Sequence, residues 1–357
     1  MRLFYISILS SAICQPVHSS DDFSLNLAGR VILDVSAIEK DGNSSTDSER
    51  RTLRLMVKGK VAKTWSYSSA IDYSDGIKIR TLNVKRRFGD TTITLGQFKT
   101  PNGINAITSG AQLAFLNRTS FVETGNFSRK LGAMTSYANG PLLVQVAAFK
   151  DSLSDGGDSN GKDMAIRSVW HNSTDDSDLH LGLSTRFRDF ENLETEYEAR
   201  AKARAIDRIF SYALTATHDK FIGGEFLYRY KSLYTIAEYG HINVKGDDMI
   251  SSFDGGHADV GYVFGGVKVY SATEGRPKGI KMANGRSHAF EIGARYDVSE
   301  ANHFNNQKDK QKSLEIAAHL YLPKSIRLSI YGADAKISFL ESNHRVKTVT
   351  TRFQISF

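Results

Sequence analysis

The sequence predicts an all-β chain closed into a transmembrane antiparallel barrel of about 16 strands. Three observations carry this reading. The chain ends Val349-Thr350-Thr351-Arg352-Phe353-Gln354-Ile355-Ser356-Phe357, with apolar and polar residues alternating at period two and a bare aromatic last. Such an edge invites aggregation unless the last strand pairs with the first and no edge is left. Next, similar short alternating segments recur along the whole chain. Third, no run of 18 or more apolar residues occurs, so no helix spans a bilayer. A mean hydropathy of -0.33 fits barrel strands, in which polar and apolar positions average out.

Residues 1–19 read as a secretory signal: Arg2 is the positive start, Leu3 to Ile13 the short apolar core, and Val17-His18-Ser19 the exit site. Cleavage there leaves residues 20–357 as one barrel domain and removes Cys14, the single cysteine. The mature chain then has no thiol chemistry. A lipidated Cys14 is the alternative, though Ile13 is a poor residue before one. The net charge of +7 is spread over the strands. Without a basic helix or an RNA-binding aromatic motif, nucleic acid is not an expected partner.

Taken in order, Phe23 to Ile38 is the first strand. A polar loop, Lys40 to Glu49, follows, and then Arg50 to Ala62, with Leu53, Leu55 and Val57 opposite Arg54, Met56 and Lys58. Strands continue at Trp65–Tyr73, Ile77–Phe88 and Thr91–Phe98. Residues Lys99 to Lys130 have no clear period, and loops of this length are usually functional. Strands resume at Leu131–Asn139, Leu142–Lys150, Met164–His171 and Leu179–Arg188, with a surface loop at Asp151–Asp163. The charged stretch Asp189–Ala205 reads as a loop holding a short solvated helix. Then come Arg208–Thr217, Gly224–Lys231, Leu233–Val244, Asp259–Thr273, His288–Val298, Ser313–Leu322, Ile326–Ser338 and the closing strand. That makes seventeen segments. Single-chain bacterial barrels have an even number, so sixteen strands with one segment misread is the expectation.

Gly156 to Asp163 has phosphate-loop spacing, but Asp163 replaces the magnesium-binding Ser/Thr and no βαβ unit surrounds it. An exposed loop explains it better. Asp155, Asp158 and Asp163 lack calcium-loop spacing. No H-E-x-x-H, G-x-S-x-G or metal-ligand cluster occurs, so neither enzyme, metal nor cofactor is expected. The remaining constellation is positive charge on the polar strand faces: Arg54, Lys58, Arg167, Arg229, Arg295 and Arg352. On the lipid face each would cost about 2–4 kcal/mol at mid-bilayer, so in a barrel they face the lumen. There they either concentrate anions or pair with acids such as Glu225 and Glu291.

Several stretches resemble the phosphate-selective porin O and P family. They are Arg54-Leu55-Met56-Val57-Lys58-Gly59-Lys60-Val61 with Trp65-Ser66-Tyr67 and Ile71-Asp72-Tyr73, and Leu95-Gly96-Gln97-Phe98-Lys99-Thr100-Pro101 leading into Phe115-Leu116-Asn117-Arg118. Further on lie Gly224-Glu225-Phe226 to Ala237-Glu238-Tyr239, Gly261-Tyr262-Val263-Phe264 with Arg276-Pro277, and Phe290 to Tyr296. The resemblance implies an outer-membrane channel of a Gram-negative bacterium, set in lipid and lipopolysaccharide and assembled as a homotrimer. It implies that Lys99–Lys130 holds the loop that narrows the pore, with Lys99, Arg118, Arg129 and Lys130 as constriction candidates. It further implies recognition of Phe357 by the barrel assembly machinery. The chain departs from the phosphate-specific members: Ala106 and Ala111 stand where those have lysines, and Asn117 replaces the acidic residue before Arg118. The expected function is passive diffusion of small hydrophilic solutes, with anions preferred and phosphate or other oxyanions as candidates. The alternative is a non-conducting surface or structural barrel.

Overall fold

A computed structural model describes residues 18–19, 23–150, 152–153, 161–246 and 249–357, without the side chains of 191–193. Most of the expected signal and of the Gly156–Asp163 motif lies outside these residues. His18 and Ser19 pair with Leu25 and Ser24 at the start of the first long strand.

Sixteen strands form one closed antiparallel sheet. In order they are β1 Ser24–Lys40, β2 Asn43–Ala62, β3 Trp65–Asp72, β4 Lys78–Phe88, β5 Thr91–Lys99, β6 Arg129–Asn139, β7 Leu142–Phe149 and β8 Lys162–Ser173. Then follow β9 Ser177–Ala199, β10 Phe210–Tyr230, β11 Leu233–Lys245, β12 Ile250–Phe264, β13 Ala289–His303, β14 Lys308–Leu322, β15 Ile326–Phe339 and β16 Ser342–Ser356. Each strand pairs with the next, and β16 pairs with β1 from Val346↔Lys40 to Ser356↔Arg30. Phe357 completes the seam: Gly29 N–H donates to its carbonyl at 2.6 Å, and its own N–H donates to the Gly29 carbonyl at 3.0 Å. Gly29 leaves room for the Phe357 ring, which would lie 2.3 Å from a Cβ at this position.

The period-two reading sets the faces. Leu314, Ile316, Ile330 and Val349 point outward and are more than half exposed, whereas Glu291, Asp297 and Glu315 on the opposite face are fully buried. The barrel end that holds Phe357 has turns of two or three residues at Lys63–Thr64, Gly89–Asp90 and Pro323–Ser325, and the opposite end carries the long loops. Short turns mark the periplasmic end and long loops the extracellular end.

The structure corrects the element reading in four places. The polar stretch 43–49 is the start of β2, reached by a tight turn in which Asp41 and Gly42 both have positive φ. Polar composition reads as loop, but above the bilayer both faces of a strand meet water. Asp189–Ala199 likewise continues β9 and holds no helix; its charged residues alternate with Tyr197 and Ala199, which are buried in an apolar cluster. The segments 208–217 and 224–231 are one strand, β10, which accounts for the surplus seventeenth segment. Asp259–Thr273 is not continuous: β12 ends at Phe264, Gly265 turns with φ 75°, and a separate hairpin follows, Gly266–Ser271 paired with Arg276–Met282.

That hairpin interrupts the periplasmic end and folds into the lumen. Its Lys268 Nζ donates to Glu291 on β13 at 2.7 Å, and the Gly275 carbonyl accepts from Arg167 on β8 at 2.6 Å. From the other end the 100–128 loop folds inward with two one-turn helices, α1 Ile104–Ile107 and α2 Ser120–Thr124. It crosses to the far wall. Ser120 donates to Asp297 through N–H (2.9 Å) and Oγ (2.6 Å), Arg327 donates to the Leu113 carbonyl, and His319 hydrogen-bonds the Ala114 carbonyl. Phe121 packs with Phe127 and Phe221 against Gly240 and Gly255, whose missing side chains make room for its ring. Extracellular parts of β9–β12 and β13–β16 add an inward-facing apolar cluster with Tyr197, Phe210, Tyr212 and Phe253. One half of the lumen is thereby filled with buried side chains. Open space remains beside β1–β7.

Candidate functional site: a lumenal passage

Three chambers lie along this open side. An extracellular one of about 620 Å³ is lined from β1–β4, β16 and the loops, and carries eleven basic side chains against Glu49, Asp72 and Asp75. A middle one of about 280 Å³ lies under α2 beside Phe127. A periplasmic one of about 540 Å³ is lined by β3–β7, the start of the inward loop and the hairpin tip. The extracellular and middle chambers share Arg80, Arg118 and Arg129; the middle and periplasmic chambers share Lys99. Every residue common to successive chambers is therefore basic.

Three of the four constriction candidates meet here. Lys99 Nζ donates to the carbonyls of Ala106 (2.8 Å) and Thr108 (2.6 Å). Arg118 donates to the carbonyls of Asn105 and Thr108, the latter at 3.0 Å. Both hold the loop in shape with neutral acceptors, so their charges stay uncompensated by these bonds. Burial pulls the Arg118 guanidinium down to about 10, which leaves it charged at neutral pH. Glu123 on α2 accepts from the Arg200 backbone N–H at 2.8 Å. Lys130 stands apart. It pairs with buried Asp163 at 2.8 Å and lines none of the three chambers.

The six wall candidates divide differently from their common sequence pattern. Arg352 is clamped bidentate by Asp34 (2.6 and 2.6 Å), Arg295 by Asp259 (2.7 and 2.7 Å), and Arg167 by Glu225 (2.8 and 2.6 Å). Arg229 pairs with Asp178 at 2.5 Å and Arg54 with Asp72 at 2.6 Å. Arg352 and Arg54 line the extracellular chamber, whereas Arg167, Arg229 and Arg295 lie in none of the three. Lys58 shares the inward face of β2 with Arg54 and is exposed. Buried guanidiniums paired this way stiffen the wall, because removing one partner strands a charge.

The sequence reading passed over other residues of the passage. Arg30, Arg51, Arg80, Arg200 and Arg204 line the extracellular chamber, and Lys85, Arg87 and Arg276 the periplasmic one. Arg30, Lys85 and Arg87 sit at inward positions of alternating strands, a legible signal. Arg200 and Arg204 lie beyond β9, in a stretch with no period to read. The loop 200–209 is fixed by Lys202, a fully buried residue with φ 62°. Its ammonium lies 2.5 Å from Asp297 and 3.3 Å from Glu315 and donates to the Arg118 carbonyl at 3.1 Å. Burial opposes this charge, but Asp297 and Glu315 outweigh it and hold the lysine above its usual pKa.

Comparison with known proteins gives the same architecture. Residues 25–357 match the family described as phosphate-selective porin O and P. A curated relative from Caulobacter vibrioides (strain ATCC 19089 / CIP 103742 / CB 15), described as an uncharacterized protein, is 23% identical over 379 residues, covering 96% of this chain and 76% of the relative. Among solved structures, OmpT of Vibrio cholerae in its trimer form superposes with a TM-score of 0.61 at 10% identity, over 94% of this chain and 100% of that one. OprB of Pseudomonas putida gives 0.62 at 11% identity, over 93% and 94%. The anion-selective porin from Comamonas acidovorans gives 0.60 at 11%, over 94% and 100%.

Proposed function

Because this chain belongs to the phosphate-selective porin O and P family and forms an outer-membrane porin, we propose that its passage prefers anions. One observation carries the reading: all the residues shared by adjacent chambers are basic, Arg80, Arg118 and Arg129 above and Lys99 below. Unit charges about 6 Å apart interact by roughly 3 kcal/mol at an effective dielectric near 20. Water and the nearby acids reduce this to about 1 kcal/mol, which is still about a five-fold bias in anion occupancy.

The lysines of the phosphate-specific members are absent at Ala106 and Ala111, and Lys99 reaches the Ala106 carbonyl from the wall instead. This supports general oxyanion passage over a dedicated phosphate site. The test is the reversal potential of purified protein in a potassium chloride gradient. Arg118→Ala is expected to lower the anion-to-cation permeability ratio by about five-fold. Arg54→Ala is expected to do less, because Asp72 already compensates that charge. An unchanged reversal potential in Arg118→Ala removes it as a selectivity residue.

A second reading, a non-conducting surface barrel, draws on the filled half of the lumen; absence of single-channel steps would favour it. The trimeric relative of this shape supports a homotrimer. Phe357, on the seam and about half exposed, is the reading for contact with the assembly machinery.

A further inference from the structure

We propose that the periplasmic chamber is a binding site for a phosphorylated sugar; this rests on the anion-preferring reading above. The chamber differs in chemistry from the extracellular one. Its charges are few: Lys85, Arg87, Lys99 and Arg276 against Asp90 and Glu274, a net formal +2 that matches a phosphate dianion. The rest of its polar lining is hydroxyl and carboxamide.

These groups form an ordered grid, set by the strand register. One row runs Ser66↔Lys85↔Thr94 and ends at Met134; the next runs Arg87↔Thr92↔Ser136↔Gln145. All lie on the inward face of β3–β7 and line the chamber. The hydroxyls of Ser66 and Thr92, both partly exposed, hydrogen-bond no other described residue, whereas Thr94 is buried. Adjacent strands are about 4.8 Å apart, so each row sets a cation one strand from a hydroxyl, Lys85 beside Ser66 and Arg87 beside Thr92, at about that interval. A bare phosphate spans one or two such points. A hexose carrying a phosphate spans a cation and several hydroxyls together. Phe98, Ile107 and Met134 supply apolar surface beside them. The volume, about 540 Å³, lies within the range of about 300–1,000 Å³ usual for small-molecule sites.

The test is blockade of single-channel current by solute added from the periplasmic side, in bilayers where the chloride reversal potential is also recorded. Glucose 6-phosphate is expected to block at about ten-fold lower concentration than inorganic phosphate, from two or more added hydrogen bonds. Glucose alone is expected not to block in the same range. The double variant Ser66→Ala/Thr92→Val is expected to bring the glucose 6-phosphate to phosphate ratio close to one. A ratio near one in the unaltered protein, or a ratio the double variant keeps, overturns the proposal. Failure of the underlying reading shows separately, as a reversal potential without anion preference.

Discussion

Phe121→Ala should unlatch the inward loop while leaving the barrel whole. The ring is 5% exposed and lies with its centroid 6.2 Å from those of Phe127 and Phe221. It rests on Gly240 and Gly255, where an added Cβ would come within 2.6 and 2.8 Å of it. Truncating a buried Phe costs about 3–5 kcal/mol. Here that cost falls on loop docking, since no barrel ladder bond passes through Phe121. A loss of about 3 kcal/mol lowers a docking equilibrium by more than a hundred-fold, at 1.4 kcal/mol per factor of ten. The Ser120–Asp297 and Thr124–Ser299 contacts still resist undocking, so the loop should flicker rather than leave. Single-channel recordings should show larger mean conductance, more open-channel noise and weaker anion preference, while heat-modifiable mobility on gels stays normal. Gly240→Ala should give the same phenotype from the wall side. Conductance, noise and reversal potential all unchanged in Phe121→Ala would refute the idea that this contact positions the constriction.

Lys202→Met should also raise noise and lower anion preference, because it strands Asp297 and Glu315 and frees the Arg118 carbonyl; Lys202→Arg should recover part of both. Arg352→Met should lower barrel stability by about 3–5 kcal/mol, read as an earlier transition on heating in detergent, because Asp34 is left buried and alone. Gly29→Val and deletion of Phe357 should each reduce assembled barrel without reducing synthesis, and normal amounts of folded barrel in either would separate assembly from this seam.

The barrel was legible because lipid imposes a face on every strand. Phe290, Ile292 and Ala294 alternate with Glu291, Gly293 and Arg295 whatever the lumen holds. Legibility failed where that constraint stops. At 43–49 both faces of the strand are polar and exposed, and at 189–199 the glutamates mask a buried face of Phe190, Tyr197 and Ala199. At Gly265 one glycine ends a strand inside an otherwise apolar run. The lumenal charges posed a different difficulty. Period two tells that Arg167 and Arg54 both point inward, but whether a carboxylate meets them, Asp72 on the next strand for Arg54 and Glu225 two strands away for Arg167, is a matter of register, and register is not written in either strand alone. Arg118 was found through resemblance of its loop to a family, and its real partners, two backbone carbonyls, have no side-chain signature at all.

The pairing of Gly29 with Phe357 has a consequence for how this protein is made. The two residues are joined by hydrogen bonds across nearly the full length of the chain. Bringing such distant points together in a flexible chain costs about 5 kcal/mol of entropy by the (3/2)RT ln n rule. Pairing of consecutive strands meets much of that cost in instalments, but β1 keeps an open edge until β16 is there to cover it. A ribosome that has delivered all but the last strand has delivered an open, sticky ribbon. Closure must therefore wait for β16, and the polypeptide has to be kept unaggregated until that strand arrives.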